Sequence, residues 1–313
     1  MKAAERGQTF PWEENRGTEA LHPKRAGLDI KPTEEVVALL WQDQLEAVKI
    51  VEKALPQIAA AAKLFAQTLR MEGRVFYVGA GSSGRLGALD AVELPPTFSI
   101  EPARVQAILA GGERAFVQAL EEEEDNYGAG KEAIRARRVT SSDLVIAISA
   151  SGGTPFVLGA ISEARLCGAK TVGITNNHAS PLGKAVDLSI VVPTGPELVA
   201  GSTRLKAGTA QKVVLNLLST AAMIALGKVY EGLMVDVKAT NEKLKARAES
   251  IVAGLTETPP ERVKEALAEA GWRVKPAVLM LKGGIGYREA EGLLKECGGS
   301  LRAALGKIKN RRR

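Results

Sequence analysis

Residues 78–85 read VGAGSSGR, and this stretch joins two elements of different type. It follows the apolar run at 74–78, which is typical of a buried strand. It precedes the segment LGALDA at 86–91, which is typical of the start of a helix. Glycines let the main chain approach a ligand closely, and a helix N-terminus carries partial positive charge. The strand, the turn rich in glycine and serine, and the helix together predict a binding site for an anion.

A second turn of this kind, ISASGGTP at residues 148–155, follows another apolar strand. Strands and helices are predicted to alternate, with strands at 74–79, 104–109, 144–149, 170–175 and 188–193, and helices near 84–92, 114–124, 129–137 and 155–167. This alternation predicts an α/β fold with a doubly wound, mostly parallel sheet. Such sheets bind ligands outside the carboxyl ends of their strands. We therefore expect both turns to converge on one phosphorylated small molecule.

The sequence predicts three parts along the chain. Residues 1–32 are polar and predict an N-terminal arm, whereas residues 33–240 predict the α/β domain together with two helices at its start. Residues 241–313 predict a small helical C-terminal domain, because glycines and prolines break them into short segments. The helix at 212–226 is apolar around much of its circumference, which indicates burial in a core or a subunit interface. On this ground we expect a homodimer.

The overall composition is that of a globular protein, with 313 residues and a net charge of +6. The segment 307–313 holds five positive charges, which favours a solvated basic tail over a nucleic-acid site. Cys167 and Cys297 are the only cysteines, and no His or Cys cluster has metal-ligand spacing, so we expect reduced thiols, no metal and no cofactor. No uncharged apolar run reaches the roughly 18 residues that span a bilayer. With no signal core at the N-terminus, we expect a cytoplasmic protein without membrane contacts.

Glu93 is the first candidate for proton transfer. It lies near the end of the helix that the first turn opens, just before Pro95 and Pro96. Because a residue before proline is disfavoured in a helix, the helix is predicted to end at Leu94. A carboxylate at a helix C-terminus faces the negative end of the helix dipole, which is unfavourable unless another group holds it. An ordinary exposed side chain is the alternative.

The acidic run EEEED at 121–125 is the second candidate. Most such runs are solvated surfaces. Successive helical residues are about 100° apart, so one or two of these carboxylates must point back toward the sheet. A carboxylate in a cleft is desolvated, which raises its pKa and makes it a usable acid or base.

The sequence resembles the N-acetylmuramic acid 6-phosphate etherases over about residues 32–250. The matching stretches have family-like spacing and read GAGSSGRLGALDAVELPPTF, ILAGGERA, EEEED, ISASGGTPFV, TVGITNN, PTGPE, GSTRLKAGTAQKVVLNLLST and LMVDVKATNEKL. The resemblance implies the sugar isomerase (SIS) fold, an α/β sandwich that binds phosphosugars. It further implies removal of the D-lactyl ether at C3 of N-acetylmuramic acid 6-phosphate, with no metal or redox cofactor.

The resemblance also implies roles for individual residues. Glu93 falls on the general acid of the family, and Glu124 falls on the base that removes the C2 proton. The phosphate is expected at the two turns, on Ser82, Ser83, Ser149, Ser151 and Thr154. Glu197 and Lys206 belong to segments that are expected near the sugar.

This chain departs from the family pattern at two places. Val92 and Leu94 replace a small polar pair around Glu93, which should make its surroundings more apolar and raise its pKa. Gly153 stands where an arginine is frequent, so one anion contact is missing. The group that recognises the lactyl carboxylate is therefore not assigned by the resemblance.

Two other functions fit the same fold. The etherases are similar to the regulatory protein that inhibits glucokinase, so a phosphosugar sensor without catalysis is one alternative. The presence of both glutamates favours the enzyme over the sensor, because a sensor needs no acid and base. An aldose–ketose phosphosugar isomerase is the other alternative, and it would leave the ether intact. A nucleic-acid role for the basic tail is the weakest option.

Overall fold

The computed structural model describes residues 17–311. Residues 1–16 of the predicted arm and the last two residues of the predicted basic tail lie outside the described part. The chain forms two compact units. The first reaches to Asp90 and resumes from Gln106 to Leu218, and the second comprises Ala91–Val105 and the chain from Ser219 onwards. The division predicted from the sequence, between residues 33–240 and 241–313, stays a prediction.

A five-stranded sheet forms the centre of the first unit. Its strands are Val75–Gly79 (β1), Val105–Leu109 (β2), Leu144–Ser149 (β3), Lys170–Thr175 (β4) and Leu188–Val191 (β5). The spatial order is β2-β1-β3-β4-β5, and the pairs β1–β3, β3–β4 and β4–β5 are parallel. Every strand lies within two residues of its predicted position, and the predicted α/β fold class is confirmed.

Helices cover both faces of this sheet. In the first unit they are Thr33–Ile50 (α1), Leu55–Arg70 (α2), Gly81–Phe98 (α3, which continues into the second unit), Glu121–Glu124 (α4), Tyr127–Ala136 (α5), Pro155–Leu166 (α6), Pro181–Ala185 (α7) and Lys206–Ala225 (α8, which also continues). Phe76 and Val145 point to one face and share a buried cluster with α5 and α6. Tyr77 points to the other face, where its ring lies 6.4 Å from that of Phe65 on α2. Alternate residues of each strand are buried on opposite faces, as expected for a doubly wound sheet.

Two helix predictions were wrong. The predicted helix at 114–124 is a 3₁₀ turn at Gly112–Phe116 followed by the single turn α4. The carbonyls of Ala115, within the 3₁₀ turn, and of Gln118, between the two turns, accept hydrogen bonds from the side chain of Arg85.

The predicted end of α3 at Leu94 was also wrong, because the helix runs through both prolines to Phe98. Leu94 and Phe98 are buried, so tertiary packing holds the last turn. The hydroxyl of Thr97 also donates to the carbonyl of Glu93, at 2.8 Å. These contacts outweigh the local preference of the residue before a proline.

The described part of the predicted N-terminal arm is packed. Thr18 is fully buried, and its N–H donates to Oδ1 of Asn177, just after β4, at 2.9 Å. In return, Nδ2 of Asn177 donates to the Thr18 hydroxyl, at 3.0 Å. His22 is buried beside Asp43 of α1, with 3.4 Å between Nε2 and Oδ1. The start of the described chain is thus fixed at the carboxyl end of β4.

The second unit is helical and has its own core. Its helices are Glu242–Thr256 (α9), Pro260–Glu269 (α10), Val274–Gly283 (α11), Tyr287–Glu296 (α12) and Leu301–Arg311 (α13). Their breaks fall at the predicted glycines and prolines. Most of α11 is buried among apolar side chains of its neighbours. Within residues 17–311, no helix is both long enough and apolar enough to cross a membrane.

Candidate active site

A cavity of about 660 Å³ opens at the carboxyl end of the sheet. Ala80, Ala110 and Ala150, which follow β1, β2 and β3 respectively, contribute to its wall. All the residues that line it belong to the first unit. The position is the one at which parallel sheets bind their ligands, because the turns after neighbouring strands meet there.

The first serine turn forms one wall of this cavity. Helix α3 begins at Gly81, so Ser82 and Ser83 lie in its first turn, where N–H groups have no acceptor within the helix. Gly81 has a φ of +50°, and a Cβ there would lie only 2.7 Å from Oε1 of Glu124. A glycine is therefore required, both for the backbone conformation and for the close approach of this carboxylate.

The second serine turn follows β3, the neighbour of β1 in the sheet, and also lines the cavity. The hydroxyls of Ser149 and Thr154 are hydrogen-bonded at 2.8 Å, and the N–H of Gly152 donates to Ser149 Oγ at 3.0 Å. The Ser151 hydroxyl accepts from the N–H of Gly153 at 3.1 Å. The cavity thus brings together the five residues predicted to bind phosphate, which are Ser82, Ser83, Ser149, Ser151 and Thr154. Their side chains carry no charge.

Three residues of the acidic run line the cavity: Glu121, Glu124 and Asp125. Glu124 is half-buried, whereas the other two are exposed. Burial raises the pKa of Glu124, and the negative charges of Glu121 and Asp125 raise it further. The guanidinium of Arg85 opposes these effects and lowers the pKa. A half-buried carboxylate beside a phosphate turn has the properties of a proton acceptor.

Two arginines supply the positive charge of the cavity wall, since its lining residues include neither lysine nor histidine. Arg85 is fixed by two main-chain acceptors, at 2.8 Å from Nε to Ala115 O and 2.9 Å from Nη2 to Gln118 O. Arg204 lies in the loop before α8 and is exposed. Neither guanidinium forms a salt bridge with a carboxylate of the described residues.

Known proteins of similar sequence identify the family. The chain matches the family described as "Glucokinase regulatory protein N-terminal SIS domain" over residues 57–165 and the SIS domain family over residues 126–221. It is 50% identical to the N-acetylmuramic acid 6-phosphate etherase of Deinococcus radiodurans, over 93% of this chain and 95% of that protein. The etherase of Streptomyces avermitilis is 47% identical over 92% of this chain and 93% of its own length. The chain belongs to the N-acetylmuramic acid 6-phosphate etherase family.

Solved structures also match this chain, at lower identity. A phosphoheptose isomerase from Francisella tularensis is 19% identical, with a TM-score of 0.47, and the match covers 62% of this chain and 100% of that chain. The two matched SIS regions together contain both serine turns, Glu124 and Arg204. Glu19, which also lines the cavity, precedes both regions.

Glu197, predicted near the sugar from the family resemblance, caps helix α8. Its carboxylate accepts the N–H groups of Lys206 at 2.9 Å and Ala207 at 3.0 Å. Burial raises the pKa of Glu197, against the lowering effect of these two donors and of the Lys206 charge. Glu197 is fully buried and is not among the residues that line the cavity. Its predicted contact with the sugar stays a prediction.

Lys206, the other residue predicted near the sugar, is buried against α1. Its Nζ lies 3.8 Å from Oδ1 of Asp43 and 3.6 Å from Oε2 of Glu46. These carboxylates balance its charge within the core. Lys206 is not a lining residue of the cavity either, so its role at the substrate stays a prediction.

Glu93, the predicted general acid of the family, is exposed and belongs to the second unit. It is not among the lining residues of the cavity, all of which lie in the first unit. Val92 beside it is exposed as well, whereas Leu94 is buried. The role of Glu93 stays a prediction.

The sequence interpretation missed several residues that line the cavity, among them Arg85, Arg204 and Glu19. Arg85 belongs to the quoted first turn, and a cation next to an anion-binding turn was a usable signal. Arg204 lies in a polar loop before a long helix, and this position was a weaker signal. Glu19 had no local signal, because the contact between Thr18 and Asn177, 159 residues apart, fixes its place.

Proposed function

We propose that this chain is an N-acetylmuramic acid 6-phosphate etherase. The reaction removes the D-lactyl ether at C3 and gives N-acetylglucosamine 6-phosphate and D-lactate. Family membership supports this assignment, and one observation carries it at the level of the site. That observation is the half-buried Glu124, whose carboxylate lies against Gly81 in the first serine turn. A base is thereby held close to an expected phosphate anchor.

The chemistry is an elimination followed by addition of water. The sugar opens to its aldehyde, which makes the proton on C2 acidic. Glu124 takes this proton, the C–H electrons form a C2=C3 double bond, and the bond between C3 and the lactyl oxygen breaks. The leaving oxygen receives a proton from an acid. Water then adds its hydroxyl to C3 and a proton to C2, which saturates the C2=C3 double bond and leaves the aldehyde of N-acetylglucosamine 6-phosphate free to close into its ring.

The phosphate is proposed to bind between the two serine turns. Hydroxyls of both turns line the same cavity, and the first-turn N–H groups of α3 are available there. A raised pKa suits Glu124 for proton abstraction, because a more basic carboxylate holds the C2 proton more firmly. Anchoring the phosphate fixes C2 relative to this base, which lowers the entropic part of the barrier.

A homodimer is the second part of the proposal. Helix α1 presents four large apolar side chains at helical spacing, each between 40 and 61% exposed: Val37, Trp41, Leu45 and Val48. An apolar stripe of this kind is typical of a helix that packs against another chain, and a twofold axis would bring two copies together. The test is the mass in solution. We expect a dimer for the wild type and a monomer for Trp41→Glu, and a wild-type monomer at all concentrations would contradict the proposal.

Glu93 is the residue that we propose as the acid, contributed to the site of the partner copy. The tests are activity and mixed dimers. Glu93→Gln and Glu124→Gln should each lose turnover by about 10²-fold or more, while substrate binding survives. A mixture of the two inactive variants, unfolded and refolded together, should regain activity if sites are shared between subunits. Full activity of Glu93→Gln would remove it from the mechanism.

The decisive assay for the function is release of D-lactate from N-acetylmuramic acid 6-phosphate. Binding without release would favour a phosphosugar sensor. A product of unchanged mass that still carries the lactyl group would favour an isomerase. We also propose that the protein works in the cytoplasm, which the free thiols of Cys167 and Cys297 support.

A further inference from the structure

The substrate of the proposed reaction carries two anionic groups, the phosphate and the lactyl carboxylate. The serine turns offer hydroxyls and N–H groups for the first, but the resemblance left the second unassigned. A carboxylate that enters a partly enclosed site needs a cation or several strong donors. The inference below rests on the proposed function and concerns the place of this second anion.

A smaller cavity of about 390 Å³ adjoins the main one. The two share Ser82, Arg85 and Arg204 as lining residues. Its walls are formed by α3 and the start of α8, both within the first unit, and they add Leu86, Leu89, Gly208, Thr209 and Lys212. Apolar and cationic side chains thus lie together in a groove that begins where the phosphate cavity ends.

The three cations of this groove differ in how many of their donors already have partners. The donors Nε and Nη2 of Arg85 are occupied by main-chain carbonyls, and Nζ of Lys212 donates to Asn216 Oδ1 at 2.7 Å. Arg204, by contrast, forms no side-chain hydrogen bond or ion pair with the described residues. An unpaired guanidinium on the wall shared by two cavities is suited to bidentate binding of a carboxylate.

The loop that carries Arg204 is held in place by main-chain bonds. The N–H of Thr203 donates to Gly201 O at 2.9 Å, and the N–H of Leu205 donates to Ser202 O at 3.1 Å. The loop ends at α8, whose first N–H groups bind the buried carboxylate of Glu197. The backbone of Arg204 is therefore preorganised, and only its side chain has to adapt to a ligand.

We propose that this groove binds the D-lactyl group, with Arg204 pairing with the carboxylate and Leu89 contacting the methyl group. The phosphate and the lactyl group then occupy neighbouring cavities, and C3 lies between them, near Ser82. The groove would give the site its selectivity, because phosphosugars without a lactyl group leave it empty.

The test compares two ligands that differ by the lactyl group. Binding of N-acetylmuramic acid 6-phosphate and of N-acetylglucosamine 6-phosphate is measured by calorimetry, in a Glu124→Gln background so that the first ligand is not consumed. Adding Arg204→Gln should lower the affinity for N-acetylmuramic acid 6-phosphate by about tenfold to hundredfold. It should leave the affinity for the other sugar unchanged, and Arg204→Lys should restore part of the loss.

Arg138→Gln is the matched control, because Arg138 is exposed, lies at the opposite edge of the sheet and is outside both cavities. Leu89→Asp places a negative charge in the groove. It should also lower the affinity for N-acetylmuramic acid 6-phosphate only. Equal weakening of both ligands by Arg204→Gln would overturn the inference, since it would assign this arginine to the phosphate. If wild-type protein releases no D-lactate, the proposed function fails instead, whatever Arg204 binds.

Discussion

At the scale of single residues, the charge on Glu124 is the quantity that should govern the rate at low pH. A base must be ionised to take a proton, and burial raises the pKa of Glu124 above that of an ordinary glutamate. The acidic limb of kcat/KM should therefore lie at higher pH than for an exposed carboxylate. Arg85 lowers this pKa through its positive charge.

Arg85→Gln should move the acidic limb to still higher pH, because removing a nearby cation raises the pKa of Glu124. The measurement is kcat/KM against pH for the variant and the wild type. Arg138→Gln, which changes an exposed arginine outside the cavity, should leave the limb in place. A limb that moves to lower pH in Arg85→Gln would exclude Glu124 as the controlling group.

Gly81 allows a second test at this scale. A Cβ there would meet Oε1 of Glu124 at 2.7 Å, so Gly81→Ala should displace the base and lower kcat by about tenfold or more. Gly112 provides the control, since it also has a positive φ, +63°, but no atom lies within 4 Å of its Cβ position. Gly112→Ala therefore carries similar backbone strain without the clash, and comparable losses in both variants would refute the role given to the contact.

At the scale of elements, the strands were predictable because each is a short apolar run between turn residues. The run at Leu144–Ser149, for example, is buried on both faces and could not be a surface helix. The breaks in the second unit were predictable for the same kind of reason, since Pro259 and Gly271 act locally. The prediction failed at Pro95, where burial of Leu94 and Phe98 outweighs the local preference. Contacts distant in sequence decide such cases.

Asp143 holds the starts of β1 and β3 in register, and its removal gives a prediction for stability. Its carboxylate accepts the N–H of Arg74 at 2.8 Å, the guanidinium at 2.7 Å and the N–H of Thr140 at 2.9 Å. Burial raises the pKa of Asp143, but these donors outweigh that effect, so the pKa is lowered overall. Asp143→Asn should cost about 1–3 kcal/mol at neutral pH.

The pH dependence of this cost has a definite sign. The stability that a depressed carboxylate pKa contributes is present above the unfolded-state pKa of about 3.9 and is lost as the pH falls through the folded-state value. Urea unfolding at several pH values gives the free energy of unfolding of variant and wild type. The difference between these two free energies should become smaller below about pH 4. Asp29→Asn changes an exposed carboxylate and serves as the control. A difference in unfolding free energy that grows as the pH falls would contradict the stabilising role of ionised Asp143.

At the scale of the whole molecule, the site combines segments that lie far apart in sequence. The meeting of both serine turns was predictable, because parallel strands bring their carboxyl ends to one edge, whereas Glu124 was singled out within the acidic run only by the family resemblance. Glu19 was not predictable, since only the folded chain brings it to the turn after β3. The link is Asn177, which binds Thr18 on one side and the carbonyl of Ser151, at 3.4 Å, on the other.

Asn177→Ala should therefore release residues 17–22 from the sheet and open one wall of the cavity. We expect a loss of about 1 kcal/mol in stability, a higher KM and faster proteolysis near Thr18. The neighbouring His178 is exposed, so His178→Ala is a matched control that should change none of these. Unchanged KM and unchanged cleavage in Asn177→Ala would show that this wall does not depend on the asparagine.

The neutrality of the serine turns has a consequence for how the site responds to electrolyte. Hydroxyls and N–H groups have no net charge for dissolved ions to screen, whereas a guanidinium at an open groove is screened readily. Added salt should thus weaken the pairing of Arg204 with the lactyl carboxylate more than the hydrogen bonds of the serine turns to the phosphate. After the ether bond breaks, we expect D-lactate to dissociate first and N-acetylglucosamine 6-phosphate to dissociate second.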